Sequence, residues 1–434
     1  MKKRLTALIG AGLSIVLLAG CGNNGGKPIS GKEDAYNNEP VTLTFYSHYA
    51  GILSQSDLDV LAQPVIAKFP NIKMEYISGT TLENMIGAQD LPDIILTSNY
   101  YLHDLLQKKI AVDLAETIRT QKVDMGPLEP EAVNLLKQFG KNGEIYGIPY
   151  AMNYGVMVYN KDIFDKLALP YPKDNMTWNE TIELARKATR LDQGTQYIGM
   201  DLGDPASLTR AYSLPVVDEK QEKTVFTNDA YGKVFRLYDQ LYQIPGIVDG
   251  NKKYTYGVDY FLKDQKMAMF PYWIAALTTR LQSMKETGKT INWDVVSYPS
   301  LDDKPGIGRE IDFHLGVVTP TSDNKKAAFA VLQTMMGEEA QKTMNSGTRL
   351  TILKDLNLKK QFASSTKLYE DKNLAGVYSV KPAALPEATK FDTKMYSFLK
   401  EAVKAMVTEN KDVNTVLREA EEKGNKYILE EGNR

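Results

Sequence analysis

From Val41 onward the chain alternates short apolar runs with amphipathic ones, and that alternation constrains the fold more than any other feature of the sequence. Val41-Thr42-Leu43-Thr44-Phe45-Tyr46 switches between apolar and polar at each step, the period of a strand with unequal faces. Residues 57–69 read as a helix, with Pro64 inside it as a residue that kinks or divides helices. Residues 72–77 read as a second strand and residues 82–88 as a second helix. Asp93-Ile94-Ile95-Leu96 is a continuous apolar run of the kind found in a parallel strand buried on both faces. Strand, helix, strand, helix, strand predicts an open α/β sheet.

The pattern persists downstream. Residues 100–109 predict a helix, and residues 156–160 a strand that leads into a helix at 161–167. Thr177-Trp178-Asn179-Glu180 fits a capping box, in which hydroxyl and carboxylate each satisfy an orphan amide at a helix start. Ala328, Val331, Leu332 and Met335 recur at helical spacing after Ser322-Asp323. Met395, Phe398, Leu399, Ala402, Val403 and Met406 form another apolar stripe, and a last helix covers about 413–429. A body of this length exceeds what one core serves, so two domains are expected.

Ahead of the body, Lys2, Lys3 and Arg4 precede a mostly apolar run that ends in Leu18-Ala19-Gly20-Cys21. The run is shorter than the roughly 20 apolar residues a membrane span needs. The arrangement resembles a bacterial lipoprotein signal, which would be removed as residues 1–20 and leave lipid on Cys21. Acyl chains contribute about 0.8 kcal/mol per buried methylene, so several of them anchor a protein stably. Residues 22–40 hold four Gly and four Asn and few large apolar side chains, the composition of a flexible tether. Such a tether spans roughly 20–25 Å.

Charge and rare residues narrow the chemistry. Loss of residues 1–20 removes three of the 52 basic residues and none of the 54 acidic ones, leaving a mildly acidic chain with no basic stripe for nucleic acid. Cys21 is the single cysteine, which excludes disulfides within the chain. His48, His103 and His314 share no metal-ligand spacing, and neither a metal nor a cofactor is expected. No Gly-x-Ser-x-Gly occurs, and the near matches to a phosphate-binding loop at residues 283–290 and 22–27 fail on spacing or on a missing glycine. Asp201 with Asp204, and Asp302 with Asp303, read as solvated turn residues sooner than as the carboxyl pair of a glycosidase.

Aromatics carry the most information about a ligand. There are 25 Tyr against 13 Phe, and Tyr46, Tyr49, Tyr100, Tyr101, Tyr154, Tyr272 and Trp273 fall at expected strand ends. A flat apolar face with a polar tip suits a sugar, apolar on its C–H faces and hydroxylated at its edges. Packing against helices is the plainer reading of any one of them. Their place after several strands favours a site, because open α/β folds bind ligands there.

Longer stretches resemble a known family. Pro92-Asp93-Ile94-Ile95, Gly143-Glu144-Ile145-Tyr146-Gly147-Ile148-Pro149-Tyr150, Val158-Tyr159-Asn160-Lys161-Asp162-Ile163-Phe164, Thr177-Trp178-Asn179-Glu180, Lys266-Met267-Ala268-Met269-Phe270 with Trp273, and Asn292-Trp293-Asp294-Val295-Val296 occur in an order similar to that in the extracellular solute-binding proteins of ABC importers, in the branch that includes maltose/maltodextrin-binding protein. The resemblance implies a type II periplasmic-binding-protein-like fold: two α/β lobes, a ligand cleft between them and three hinge crossings, here near 147–151, 295–299 and 346–351. The lobes would comprise 41–149 with 296–346, and 150–295 with 347–434.

Carried over, the cleft draws on Tyr46, His48, Tyr49, Ser98, Asn99 and Tyr100 from one lobe, and on Asn153, Tyr154, Asp204 and Trp273 from the other. Ser98-Asn99-Tyr100-Tyr101 stands where maltodextrin binders carry charged residues, and Pro271-Tyr272 where a Gly is common, so maltose itself is not supported. The implied function is capture of a carbohydrate, an oligosaccharide, by a lipid-anchored monomer outside the cytoplasmic membrane, and delivery to ABC permease subunits, with no chemistry on the ligand. A secreted polysaccharide-active enzyme and a ligand-presenting module for a membrane sensor are the rivals.

Overall fold

The structure, a computed structural model, describes residues 35–432 apart from 53 and 141; Cys21 and residues 1–20, read above as a lipoprotein signal, lie outside the described residues. Ordered packing begins ahead of Val41. Tyr36 meets Phe69 edge-on with ring centroids 5.4 Å apart, and the Asn38 carbonyl accepts from Asn71.

The first sheet starts with β1 (Val41–His48), β2 (Ile72–Tyr76), β3 (Ile94–Ser98) and β4 (Ile148–Asn153). β5 (Gly155–Asn160), β6 (Arg190–Asp192), β7 (Thr195–Met200), β8 (Met267–Trp273) and β9 (Trp293–Ser297) build the second. A short β10 (Ile307–Gly308) precedes β11 (Asp312–Val318), and β12 (Lys381–Pro382) pairs with β10. The first sheet has the order β2-β1-β3-β11-β4 and the second β6-β7-β8-β5-β9. β1 runs parallel to β2 and β3, whereas β11 returns antiparallel to β3 and β4. The α/β sheets are those that the alternating sequence predicts, and the two lobes those that the family resemblance implies.

Three passages join the sheets. The first is one residue long: Tyr154 alone separates β4 from β5. Gly155 follows it, and a Cβ there would stand 2.6 Å from that of Arg309, so only glycine lets the second passage, residues 298–311, lie against the first. The third lies between Leu353, which bridges to Leu128, and helix Leu374–Val377, which packs on β9. The first passage falls just beyond the expected 147–151, because β4 stays whole within the first sheet; the second overlaps the expected 295–299, and the third begins after the expected 346–351.

Helices Gln55–Lys68 and Lys325–Met336 pack on the first sheet. Pro64 sits within the former without ending it, since Leu58, Leu61, Ala62 and Val65 are all buried along the same helix. Helix Trp178–Ala188 packs on β7, and its capping box forms in full between Thr177 and Glu180. Thr177→Ala is therefore expected to cost about 1 kcal/mol in urea unfolding with no change in ligand affinity. The C-terminal pair Asp392–Glu409 and Val413–Gly432 packs together and against Pro205–Ala211 and Asp229–Tyr242, which presents the start of one helix to the space between the lobes.

Candidate ligand-binding site

The carboxyl ends of β3 and β8 face each other across that space. Ser98 ends β3 and caps helix Asn99–Gln107 with its hydroxyl; Trp273 ends β8 at the position just ahead of Ile274–Glu286, without a side-chain cap. The Tyr100 and Trp273 rings lie 6.4 Å apart at 43°, one from each lobe. Arg210, near the end of helix Pro205–Ala211, lays its guanidinium 3.6 Å from the Tyr100 ring centroid, and Arg309 from the second passage does the same over Trp273 at 3.7 Å. Both geometries are face-on cation–π contacts, strengthened by burial.

Glu310 sits between these groups with no solvent exposure. It accepts a hydrogen bond from the Tyr100 hydroxyl, and its carboxylate oxygens lie 4.0 Å from Arg210 Nε and 3.8 Å from Arg309 Nε. At those separations neither arginine bonds directly. Arg210 Nε, Arg309 Nε and Glu310 Oε2 are buried without a hydrogen-bond partner, and such atoms are rare in a folded protein. Burial, then the Glu310 charge, push the Tyr100 hydroxyl well above its usual range, so it stays a donor.

One step along the return strand, Asp312 accepts from Ser98 Oγ and lies 3.4 Å from His314 Nε2. Burial pushes its carboxyl up, but the attraction and hydrogen bond of His314, the Ser98 hydroxyl and Arg309 outweigh that and hold it below the usual range. The register of β11 on β3, with His314 opposite Ser98, sets this contact.

Of the residues singled out from the sequence, Ser98, Tyr100 and Trp273 come together in this group. His48 and Tyr49 form a second aromatic group with Tyr101: Tyr49 stacks on it at 4.1 Å and 19°, and His48 meets both edge-on. Tyr49 is 66% exposed and holds a left-handed backbone, φ 62°. Tyr46 lies farther back, near Tyr76 and Glu83.

Other side chains are engaged elsewhere. Asn99 Oδ1 accepts from the Phe313 amide and Asn153 Oδ1 from the Ala275 amide, so both buried amides fasten backbone. Tyr154 is buried edge-on to Tyr378. Asp204 caps helix Pro205–Ala211 and lies 3.8 Å from Lys400.

Arg210, Arg309, Glu310 and Asp312 were not among the site residues singled out. One signal did exist: Glu310, Asp312 and His314 alternate with Ile311, Phe313 and Leu315, a strand with one polar face, and every one of these residues is buried. Charged residues on a fully buried strand point to a lined cleft. Among the described residues there is no cluster of His, Cys, Asp and Glu that could hold a metal ion, and no helix long and apolar enough to cross a membrane.

Comparison with known proteins gives a consistent picture. The sequence model of a family described as bacterial extracellular solute-binding protein matches residues 54–342. A multiple sugar-binding protein of Streptococcus mutans is 26% identical over 193 residues, 43% of this chain and 41% of that protein, so the match spans less than half of either. Among solved structures, the ABC substrate-binding protein Lmo0181 of Listeria monocytogenes, in complex with cycloalternan, superposes with a TM-score of 0.72 at 19% identity, covering 89% of this chain and 98% of that one. A solute-binding protein of Thermotoga lettingae bound to α-D-tagatose gives a TM-score of 0.69 at 16% identity over 89% and 99%.

Proposed function

Because the chain belongs to the bacterial extracellular solute-binding protein family, we propose that it captures a carbohydrate, specifically an oligosaccharide, between its two lobes and delivers it to the permease of an ABC importer. The observation that carries this reading is the group of Tyr100, Arg210, Arg309, Glu310 and Trp273. It spans both lobes, brings two aromatic rings to 6.4 Å at a tilt of 43°, and leaves two buried donors and one buried acceptor unpartnered. A sugar supplies what such a group needs: apolar C–H faces for the rings, and hydroxyls that accept from guanidinium and donate to carboxylate.

Arginine and carboxylate from different segments meet the ligand together only when the lobes are shut, so binding favours the closed state by that difference in contacts. The product of the event is a closed, loaded receptor. No bond of the ligand is broken, and a purified sample incubated with the bound glycan releases no new reducing ends. Lipid on Cys21 keeps the receptor beside its permease, and metabolic labelling with a palmitate analogue, lost in Cys21→Ser, tests that anchor.

The structural neighbours hold sugars as different as cycloalternan and α-D-tagatose, at identities too low to transfer a ligand. The discriminating experiment is a thermal-shift screen against a glycan panel. A ligand at 100 times its dissociation constant adds about 2.7 kcal/mol of stability, a readily visible shift. A panel of neutral oligosaccharides that leaves the melting temperature unmoved, beside a non-sugar solute that raises it, overturns the carbohydrate reading.

A further inference from the structure

Arg309 and Glu310 reach the site from a stretch of chain that no strand pairing holds. The second passage pairs at β10, Ile307–Gly308, and pairing resumes only with β11 at Asp312, so residues 309–311 run unpaired between the two. The bond from the Tyr100 hydroxyl to the Glu310 carboxylate depends on distance and angle, and something other than a sheet ladder must set the backbone that offers it.

Asp312 is the first fixed point after that stretch. Its Oδ1 accepts from the Ser98 hydroxyl at 2.5 Å, the length of a charge-assisted bond, and the same hydroxyl oxygen accepts from the Tyr100 amide at 3.2 Å. One serine thereby ties the backbone that carries Tyr100 to the side chain two residues beyond Glu310. The Asn99 side chain adds a parallel tie to the Phe313 amide at 2.7 Å. The second Asp312 oxygen faces His314 Nε2, and Ser98, Asn99, Asp312 and His314 are all buried. Both Asp312 oxygens are thus engaged within the protein, whereas Glu310 keeps Oε2 unpartnered.

We propose that Asp312 is a positioning residue of the ligand site: it does not touch the solute, and through Ser98 it sets the place at which Glu310 meets Tyr100, Arg210 and the captured molecule. The proposal rests on the reading of Glu310 as a ligand contact. A strand start needs no buried carboxylate for its own pairing, which backbone groups make. One that must hold a neighbouring acid in register with Tyr100 does.

Two measurements test this role. In the unliganded protein, amide exchange over residues 307–313 is expected to quicken about tenfold or more in Asp312→Ala and in Ser98→Ala, and less in Asp312→Asn, which still accepts from Ser98. In titrations with the panel solute that raises the melting temperature most, each alanine variant is expected to bind about tenfold more weakly, and the double variant no more than about twofold weaker than the poorer single one, because the two side chains make one link. The deciding comparison adds Glu310→Ala. Its loss of about a hundredfold in the native background shrinks to less than about tenfold beside Asp312→Ala, since a misplaced carboxylate has little left to lose. A residue that only stabilised its lobe would lower the melting temperature and leave the Glu310 factor unchanged. Ser98→Ala carries the same comparison from the opposite side of the link should Asp312→Ala fail to fold. Exchange at the native rate, or an equal Glu310 factor in both backgrounds, overturns the proposal while leaving solute capture standing. A panel in which only a non-sugar solute binds strikes the carbohydrate reading instead, and the same comparison run with that solute still decides the role of Asp312.

Discussion

Replacing Glu310 with alanine is expected to lower ligand affinity at least a hundredfold and to leave the lobes apart in solution scattering even with the glycan present. The physical reason is the position of this carboxylate between two buried guanidiniums, 4.0 Å from one and 3.8 Å from the other, with no solvent to replace it. Removing one partner of a buried ionic group strands the remaining charge at a cost of about 3–5 kcal/mol. A hundredfold in affinity corresponds to about 2.7 kcal/mol, so the expected loss is conservative. Under the proposed closing mechanism the penalty falls mainly on the closed state, where Arg210 of one lobe meets Glu310. Glu310→Gln keeps the shape and part of the hydrogen bonding, and should lie between alanine and the native protein. Titration of both variants with the best glycan of the panel, beside circular dichroism to show an unchanged fold, decides the matter. Affinity equal to that of the native protein in Glu310→Ala removes the carboxylate from the site.

Trp273→Ala is expected to weaken binding more than tenfold and to leave the fold intact. The side chain is half-buried at the end of β8, so its loss does not open the core of its lobe. What goes is one of the two aromatic rings of the group, together with the stack that orients Arg309. Trp273→Phe keeps a face and should recover part of the affinity. An unchanged dissociation constant in the alanine variant means that the ligand sits elsewhere.

The fold was legible because its signals are local. An apolar run such as Ile94-Ile95-Leu96 has few fates other than a strand covered on both sides, and Thr177 with Glu180 specifies a helix start within four residues. The candidate site was legible where aromatics fall at a strand's end, as for Tyr100 and Trp273, while Ser98 entered only through the family resemblance. Asn99 and Asn153 have the right chemistry and the right neighbourhood, yet their amides serve the backbone of Phe313 and Ala275, segments more than a hundred residues away in the chain. Arg210, Arg309 and Glu310 are the converse. Arg210 and Arg309 read as ordinary surface charges until the fold sets their guanidiniums over Tyr100 and Trp273, and only the alternation of Glu310, Asp312 and His314 with apolar residues marks a buried polar face in the sequence.

Tyr154 has a consequence for how such a protein can be used. With a single residue between β4 and β5, closure of the lobes as proposed would turn small changes in its two backbone torsions into movement over the full reach of each lobe, as at the pin of a pair of tongs. Fluorophores attached to the far rims of the lobes would therefore change separation on capture while touching none of the residues that hold the guest. That makes the molecule a natural optical reporter for the solute it carries.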